Sequence, residues 1–246
     1  MIKLQSISTR ATKELQKSVI KKKTESLLSQ LHELQALLFA EKKHSILIVL
    51  QGLDASGKDG AVQHVFSGVN PMGCKVKAFK VPTEEELAHD FLWRIHQHAP
   101  EKGMIQIFNR SHYEDVLVPG VHGSIGKEEV KRRCQHINAW EMLLQDSGTH
   151  LLKFYLHISK EEQEIRFNER LSIPEKRWKY KEADIEESKL WNKYQIAFED
   201  IFESCDKAAP WIVVPSDQNW YKDYLIASAI VEKLLSLKMK YPELTK

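Results

Sequence analysis

Cysteine is scarce in this chain, and so are long apolar runs. The three cysteines, Cys74, Cys134 and Cys205, lie far apart and form neither a Cys-x-x-Cys pair nor a disulfide framework, which is typical of reduced thiols. No apolar run approaches the ~20 residues needed to span a membrane. The first ten residues also lack the long apolar core of a signal peptide. We therefore expect a cytoplasmic protein without a membrane partner.

Neither sign of charge dominates the composition. Lysine and arginine number 36 and aspartate and glutamate 34, so the formal net charge is only +2. Such a balance does not favour a nucleic-acid partner, and a polyanionic ligand would have to be met by a local concentration of cations. With 246 residues, of which 42% are hydrophobic, the chain is expected to form one α/β domain with an appendage.

Apolar runs and helical patterns alternate along the sequence. Leucines spaced by three and four residues predict an amphipathic helix over 11–43, which would pack on its own domain or on a second subunit. We define residues 1–44 as an N-terminal helical extension and 45–246 as the main domain. The expected strands are 45–50, 75–79, 104–108, 151–157 and 211–214, and the expected helices are 59–69, 84–98, 127–145, 160–171, 183–205 and 220–237. This alternation predicts an α/β three-layer sandwich with a central parallel sheet of about five strands flanked by helices.

The first predicted strand is followed by a glycine-rich loop that fits the phosphate-binding pattern GxxxxGK. Ligands of doubly wound sheets bind beyond the carboxyl ends of the strands. Backbone amides of the loop, the positive end of the following helix and a lysine would all face phosphate oxygens there. We call residues 52–59 the phosphate loop. The residues assigned to phosphate binding are Gly52, Ala55, Ser56, Gly57, Lys58 and Asp59.

The phosphate loop lacks the hydroxyl that commonly holds Mg²⁺, because Asp59 stands where serine or threonine is usual. Asp54 is the nearest carboxylate that could bind the metal instead, and a turn-stabilising role is its alternative. At the end of the third predicted strand, Asn109 offers a neutral carbonyl to the metal or its waters, and Arg110 can fork onto phosphate oxygens. A capped loop that joins strand to helix is the alternative for this stretch.

The pairing of GLDASGKDG with FNRSHYEDVL resembles the polyphosphate kinase 2 family. The match continues through NPMGCKVKAFKVPTEEELAHDFLWRIH, RFNERLSIPEKRWKYKEADIEE and APWIVVPSDQNWYKD, most of the chain after Ile46. The resemblance implies a P-loop kinase-like fold with a helical lid. It also implies reversible transfer of the terminal phosphate between inorganic polyphosphate and a nucleotide, with Mg²⁺ or Mn²⁺ as cofactor. Asn109 and Tyr113-Glu114-Asp115 look like the subgroup that accepts nucleoside mono- and diphosphates. The expected partners are therefore polyphosphate with AMP, ADP, ATP and guanine nucleotides.

Positive charge is concentrated between Arg166 and Lys181, on both sides of Pro174. A helix that ends within a basic run is typical of a mobile lid, and a solvated helix face is the alternative. We expect the lid at about 166–190. In terms of the family, Arg166, Arg170, Lys176 and Lys179 match the basic positions of the lid, and Asp184 matches their acidic partner.

Three further cations are assigned to anion binding. Lys80 and Arg94 could line a track for a long polyanion, and Arg133 lies near a helix start, where a cation is poorly matched to the helix dipole. Glu114 is expected to face the acceptor nucleotide or a second metal. The residues assigned to catalysis are Asp54, Lys58, Asn109, Arg110, Glu114, Arg166, Arg170 and Lys179.

Two other functions fit the same residues. An ATP-dependent nucleoside monophosphate kinase would share the loop, the fold and the lid, and would differ only in the phosphate donor. A non-catalytic nucleotide or polyanion sensor is suggested by Asp59 and Asn109, which depart from the usual residues at two metal-binding positions. The leucine-rich N-terminal helix is compatible with a homodimer or homotetramer.

Overall fold

Five apolar segments form one parallel sheet in the computed structural model, which describes residues 2–243. The strand order is β2-β3-β1-β4-β5, so β1 lies at the centre and its seven residues are all buried. The predicted parallel sheet of five strands is thereby confirmed. The strands are β1 Ser45–Gln51, β2 Cys74–Ala78, β3 Ile105–Asn109, β4 Thr149–His157 and β5 Trp211–Pro215.

Helices cover both faces of the sheet, which gives the three-layer sandwich expected from the sequence. Alternate residues of β1 point to opposite sides: Ile46 and Ile48 join one hydrophobic cluster, and Leu47 and Val49 join the other. The helices are α1 Lys17–Glu41, α2 Lys58–Val65, α3 Glu84–Leu87, α4 Trp93–His96, α5 Glu114–Val121, α6 Lys127–Asp146, α7 Lys160–Ser172, α8 Glu182–Ser188, α9 Trp191–Ser204 and α10 Asn219–Ser236. Three 3₁₀ turns are formed by Leu4–Ser6, Pro71–Gly73 and Pro174–Lys179.

The N-terminal helix packs on its own domain. Leu31 and Leu38 of α1 are fully buried in the cluster that contains Ile230 of α10. The helix begins at Lys17, later than predicted, because the predicted first residue is held elsewhere: the amide of Ala11 donates to Gln218, beyond β5, at 3.0 Å. Within residues 2–243, no helix has both the length and the apolar character needed to cross a membrane.

Two predicted helices are broken, and one helix was not predicted. The 84–98 helix is two short helices because the Asp90 carboxylate caps the amides of Leu92 and Trp93, at 2.9 and 3.1 Å, and starts a new turn. The 183–205 helix is interrupted at Lys189 and Leu190, between α8 and α9. Helix α5 was missed because its short sequence contains Pro119, which is unfavourable in helix interiors.

The connections place four helix starts at one edge of the sheet. Helices α2, α5, α7 and α10 all begin shortly after the carboxyl ends of β1, β3, β4 and β5. The phosphate loop and the other strand exits therefore lie at the same edge, where the fold is expected to bind its ligands.

Candidate active site

The phosphate loop is a tight turn whose glycines are required by its geometry. Gly52 has φ +147° and a Cβ there would lie 2.7 Å from the carbonyl oxygen of Leu156. Gly57, which precedes α2, has φ +95°, and its Cβ would lie 2.8 Å from Nζ of Lys222. Ala55 also adopts a positive φ of 61°, an uncommon conformation for a residue with a side chain. The backbone is thus bent into a strained turn, the kind of conformation that presents backbone amides to anions in phosphate-binding loops.

The ammonium of Lys58 is bound by carbonyl oxygens of the phosphate loop and not by a carboxylate. Its ammonium donates hydrogen bonds to the carbonyl oxygens of Gly52 at 2.6 Å and Leu53 at 3.0 Å, and the residue is only 8% exposed. No carboxylate of residues 2–243 lies within 4.0 Å of this ammonium. Burial, assisted by repulsion from Arg110, lowers the pKa of Lys58 to about 8. A buried lysine without a counterion is poised to bind an anion.

Arg110 joins the exits of β1 and β3. Its guanidinium donates hydrogen bonds to Asp54 in the phosphate loop and to Glu114 at 3.2 Å. Arg110 also has a positive φ of 61°, so its backbone is strained at the position that aims the side chain into the site. Burial opposes its charge, but Glu114 and Asp54 outweigh burial and raise the pKa of Arg110. Three of the eight residues assigned to catalysis from the sequence are therefore joined, because Arg110 contacts both Asp54 and Glu114.

A second contact links the lid to the phosphate loop. Asn109 donates its Nδ2 amide to Asp59 Oδ1 at 2.8 Å, and the ammonium of Lys179 lies 3.3 Å from Asp59 Oδ2. Burial would raise the pKa of Asp59, but the Asn109 hydrogen bond and the charge of Lys179 hold it below its ordinary value. Asp59 is thus ionised and attaches the lid to the start of α2.

The oxygen donors around Arg110 fit a magnesium ion that is shared with substrate phosphates. Asp54, Asp59 and Glu114 provide carboxylates, and Asn109 keeps its carbonyl oxygen free because its amide nitrogen faces Asp59. Residues 2–243 contain no cluster of three or more acidic, histidine or cysteine side chains that would form a complete metal cage. Mg²⁺ is commonly held by one or two carboxylates together with phosphates and waters, so the donor set is suitable. The roles of Asp54 and Asn109 as ligands stay predictions.

Arg166, at the start of the predicted lid, lies against the phosphate loop. From α7 it donates to the carbonyl oxygens of Ala55 at 2.8 Å and Ser216 at 2.6 Å, and it pairs with Glu162 at 3.0 Å. Apart from Glu162, its partners are backbone carbonyls of the strand exits. Arg166 therefore fixes the loop from behind.

The rest of the lid is tied together by its own ion pairs. Arg170 pairs with Asp184 at 2.9 Å, the acidic partner that the family resemblance implied. Lys176 pairs with Glu169. Helix α7 ends at Ser172, and Pro174 begins a 3₁₀ turn, so the basic run does change its structure where the sequence predicted.

Two cations predicted to bind anions are used inside the protein. Arg94 is 4% exposed and donates to Asp115 at 2.8 Å and to the carbonyl of Lys80 at 2.9 Å. It therefore does not line a surface track, although Lys80 is exposed. Arg133 binds Glu129 at 2.9 Å and the carbonyl of Asp115 at 2.7 Å. The physical reason is that both arginines bind oxygens of Asp115 in the first turn of α5. Arg94 pairs with its carboxylate, and Arg133 donates to its carbonyl oxygen, for which Pro119, four residues later, has no N–H.

Sequence reasoning missed Lys222 of α10. Its fully buried ammonium donates to the carbonyl of Gly57 at 3.1 Å and to Asn219 Oδ1 at 3.0 Å. Burial is the main reason that the pKa of Lys222 lies below its ordinary value, and the nearby Arg166 lowers it further. The signal that could have found this residue is its place in the first turn of the helix after β5, at the ligand-binding edge.

A buried polar network supports the exit of β3. Lys153 of β4 and Glu141 of α6 are fully buried and form an ion pair at 2.8 Å. Glu141 also accepts a hydrogen bond from the hydroxyl of Tyr113 at 2.6 Å and lies 3.2 Å from Nε2 of His112. Because Tyr113 and His112 follow Arg110 closely in sequence, the network fixes the loop that carries the arginine.

This geometry serves phosphoryl transfer. Catalysis of such a reaction consists almost entirely of positioning phosphates and neutralising their charge, and the site supplies a strained loop, a buried lysine, an arginine and a basic lid for those tasks. The fold and the site together define a phosphotransferase of the P-loop kinase class.

The comparisons with known proteins narrow that class. The family model described as Polyphosphate kinase 2 (PPK2) matches residues 14–242. The chain belongs to the polyphosphate kinase 2 family, as the sequence motifs predicted.

Individual relatives agree with the family model. The AMP/ADP-polyphosphate phosphotransferase of Meiothermus ruber is 51% identical over 215 residues, which cover 87% of this chain and 80% of the relative. The ADP-polyphosphate phosphotransferase of Rhodopseudomonas palustris is 42% identical over 231 residues, 89% of this chain and 80% of the relative. The crystal structure of Polyphosphate Kinase 2 from Arthrobacter aurescens TC1 matches with a TM-score of 0.96 at 37% identity and covers 100% of this chain and 89% of that chain. The last comparison confirms the predicted fold.

Proposed function

We propose that this protein is a polyphosphate-dependent nucleotide kinase. It transfers the terminal phosphate of inorganic polyphosphate to AMP, giving ADP, and to ADP, giving ATP, and the reaction is reversible. The observation that carries this proposal is the buried ammonium of Lys58, which has no carboxylate partner and lies in the phosphate loop. Lys222 and Arg166 fix that loop by donating hydrogen bonds to its carbonyl oxygens. The names of the similar proteins, which mention polyphosphate with AMP or ADP, support the choice of donor and acceptors.

The reaction needs no protein nucleophile. An ionised phosphate oxygen of the nucleotide attacks the terminal phosphorus of polyphosphate, the bond from that phosphorus to the bridging oxygen breaks, and the donor leaves one phosphate shorter. Lys58 and the loop amides bind phosphate oxygens, and Arg110 neutralises charge on the transferring group. Glu114, which shares Arg110 with Asp54, would lie beside the acceptor.

The lid residues and the metal complete the assignment. Arg170, Lys176 and Lys179 would close over the phosphates and exclude water, which would otherwise take the phosphate. Asp54, with help from Asn109, would hold Mg²⁺ or Mn²⁺. The metal, when bound, neutralises phosphate charge and orients the donor.

The test supplies purified protein with Mg²⁺ and long-chain polyphosphate, adds AMP or ADP separately, and resolves the nucleotides by chromatography. Formation of ADP and ATP from AMP would support both acceptors. Formation of ATP from ADP, without any product from AMP, would exclude AMP as an acceptor. Parallel reactions with GMP and GDP measure the base preference. A Lys58→Ala variant should lose turnover, and Lys207→Ala, which removes an exposed lysine at the opposite edge of the sheet, should retain it.

Two results would replace the proposal. Phosphorylation of AMP by ATP but not by polyphosphate would indicate an ATP-dependent nucleoside monophosphate kinase. Nucleotide binding without any turnover in Mg²⁺ or Mn²⁺ would indicate a sensor. The homodimer or homotetramer stays a prediction, which light scattering coupled to gel filtration would test.

A further inference from the structure

Cations are concentrated in a segment that the proposed reaction does not use. Between residues 10 and 23 the only acid is Glu14, whereas the cations are Arg10, Lys13, Lys17, Lys21, Lys22 and Lys23. The 246 residues together have a net charge of only +2, so the excess is a local feature. We call residues 10–23 the basic arm.

The lysines of the basic arm have no structural role that explains them. All five are exposed, and none forms an ion pair with a carboxylate of residues 2–243. Helix α1 begins at Lys17, and its first turn contains no acidic residue. Positive charge at a helix start opposes the helix dipole, so this arrangement costs stability. A ligand with negative charge would offset that cost.

The fold places the basic arm at the edge of the sheet that carries the phosphate loop. Helix α1 ends at Glu41, beside the start of β1 at Ser45. The first turn of α1 therefore lies toward the other end of β1, where the phosphate loop begins. Contacts confirm this direction. Thr9 donates its hydroxyl to Asp217 at 2.8 Å, and the amide of Ala11 donates to Gln218 at 3.0 Å, both just beyond β5.

A short series of contacts connects the arm to the site. Arg10 lies 3.6 Å from the carboxylate of Asp217. Arg166 donates to the carbonyl of Asp217 at 3.3 Å and to the carbonyl of Ala55, in the phosphate loop, at 2.8 Å. The arm therefore starts beside the residues that support the loop from behind, and its cations continue from there along α1.

We propose that the basic arm is an accessory site that binds the distal phosphates of a long polyphosphate chain whose terminal phosphate occupies the phosphate loop. The inference rests on the proposed function. A linear donor carries negative charge on every phosphate, and only a chain much longer than the loop can extend onto the arm. Lysines in water, without fixed partners, bind such a polyanion through charge and counterion release, without requiring a fixed geometry.

The experiment compares two variants that remove the same charge. The arm variant combines Lys13→Gln, Lys17→Gln and Lys21→Gln. The control combines Lys207→Gln, Lys233→Gln and Lys240→Gln, three lysines near the opposite edge of the sheet. The KM for polyphosphate is measured with ADP as acceptor, for a long-chain donor and for tripolyphosphate, at low and at physiological ionic strength.

The arm variant should raise the KM for the long donor by roughly tenfold at low salt and flatten its salt dependence. Its KM for tripolyphosphate and its kcat should stay unchanged, as should every value of the control variant. An equal rise for both donors, an equal rise in both variants, or no rise at all would overturn the accessory site.

Failure of the proposed function would be visible separately, as an absence of polyphosphate-dependent turnover in the wild-type protein. In that case the binding of fluorescently labelled long-chain polyphosphate, followed by anisotropy in the wild-type, arm and control proteins, still decides whether the arm binds the polymer. Loss of binding in the arm variant alone supports the site. Tighter binding of RNA of equal charge to the same arm would assign it to nucleic acid and overturn the proposal.

Discussion

Removal of the buried ammonium of Lys153 tests how the exit of β3 is supported. The side chains of Lys153 and Glu141 are fully buried and their charged atoms lie 2.8 Å apart. Lys153 also donates to the carbonyl of Cys205 at 2.7 Å. A Lys153→Met variant keeps the volume of the side chain but leaves the Glu141 carboxylate buried without its cation. Breaking a buried pair in this way costs about 3–5 kcal/mol.

The expected loss is a large part of the ~5–15 kcal/mol that stabilises a typical domain. Urea unfolding at pH 7, followed by circular dichroism, measures it as a lower midpoint at constant slope. The exposed Lys240→Met variant is the control and should change stability by less than about 0.5 kcal/mol. In the double variant Lys153→Met with Glu141→Gln, both charges are gone and Tyr113 keeps an acceptor, so most of the loss should be recovered.

Acid titration gives an independent check on the same pair. Burial opposes ionisation of Glu141, but His112 and Lys153 hold its pKa below the ordinary value of 4.5. The stability from this carboxylate should therefore be complete above pH 4.5 and be lost as the pH falls through the lowered pKa. A loss below about 1 kcal/mol in Lys153→Met, or a double variant as unstable as the sum of the single variants, would refute the role assigned to the pair.

Three further predictions concern the phosphate loop and the lid. Gly57→Ala should cost about 1–3 kcal/mol in urea unfolding, because the left-handed backbone and the nearby Lys222 both oppose a Cβ. Calorimetry at pH 8.5, in buffers of different ionisation enthalpy, should detect proton uptake when tripolyphosphate binds, because Lys58 has a pKa of about 8 in the free protein and an anion raises it. Lys179→Gln should leave stability within about 1 kcal/mol, because its pair with Asp59 is exposed, but should increase phosphate released to water relative to nucleotide formed.

Each of these predictions has a result that contradicts it. Unchanged stability in Gly57→Ala would mean that the loop is less constrained than its φ of +95° indicates. Equal proton uptake in the wild type and in Lys58→Met would assign the proton to another group. An unchanged ratio of hydrolysis to transfer in Lys179→Gln would show that Lys179 does not help the lid to exclude water.

Local sequence patterns predicted most of the fold because buried parallel strands have a simple sequence pattern. The apolar run over 45–50 corresponds to β1, and the other four strands were placed within two residues of their observed ends. Helix interruptions were harder to predict, since they depend on single polar contacts. The Asp90 side chain that divides the 84–98 segment could equally have pointed to solvent, and Pro119 within α5 argued against a helix that tertiary packing nevertheless forms.

The site was predictable in its residue types and less so in its contacts. Asp54, Lys58 and Arg110 were found because strand exits and the GxxxxGK pattern are encoded locally. The partners of Arg94 and Arg166 were not, since a basic residue in a sequence does not show whether its acceptor is a substrate or a carbonyl of the same chain. Lys222 was missed for a related reason: it contacts Gly57, which lies 165 residues away.

The order of strands in the sheet has a consequence for how the chain folds. Every neighbouring pair is parallel, so no hairpin can form early, and Ile46 in the central strand waits for Ile105 on one side and His150 on the other. Such pairings between distant residues slow folding, because the entropy of closing a long loop is lost before the strand contacts stabilise the chain. During synthesis the apolar β1 emerges first and remains without partners until β3 and β4 follow. The phosphate loop therefore acquires its support only after α10 has been made, and β1 stays incompletely paired until the chain has been synthesised as far as His157, a period in which aggregation is a hazard.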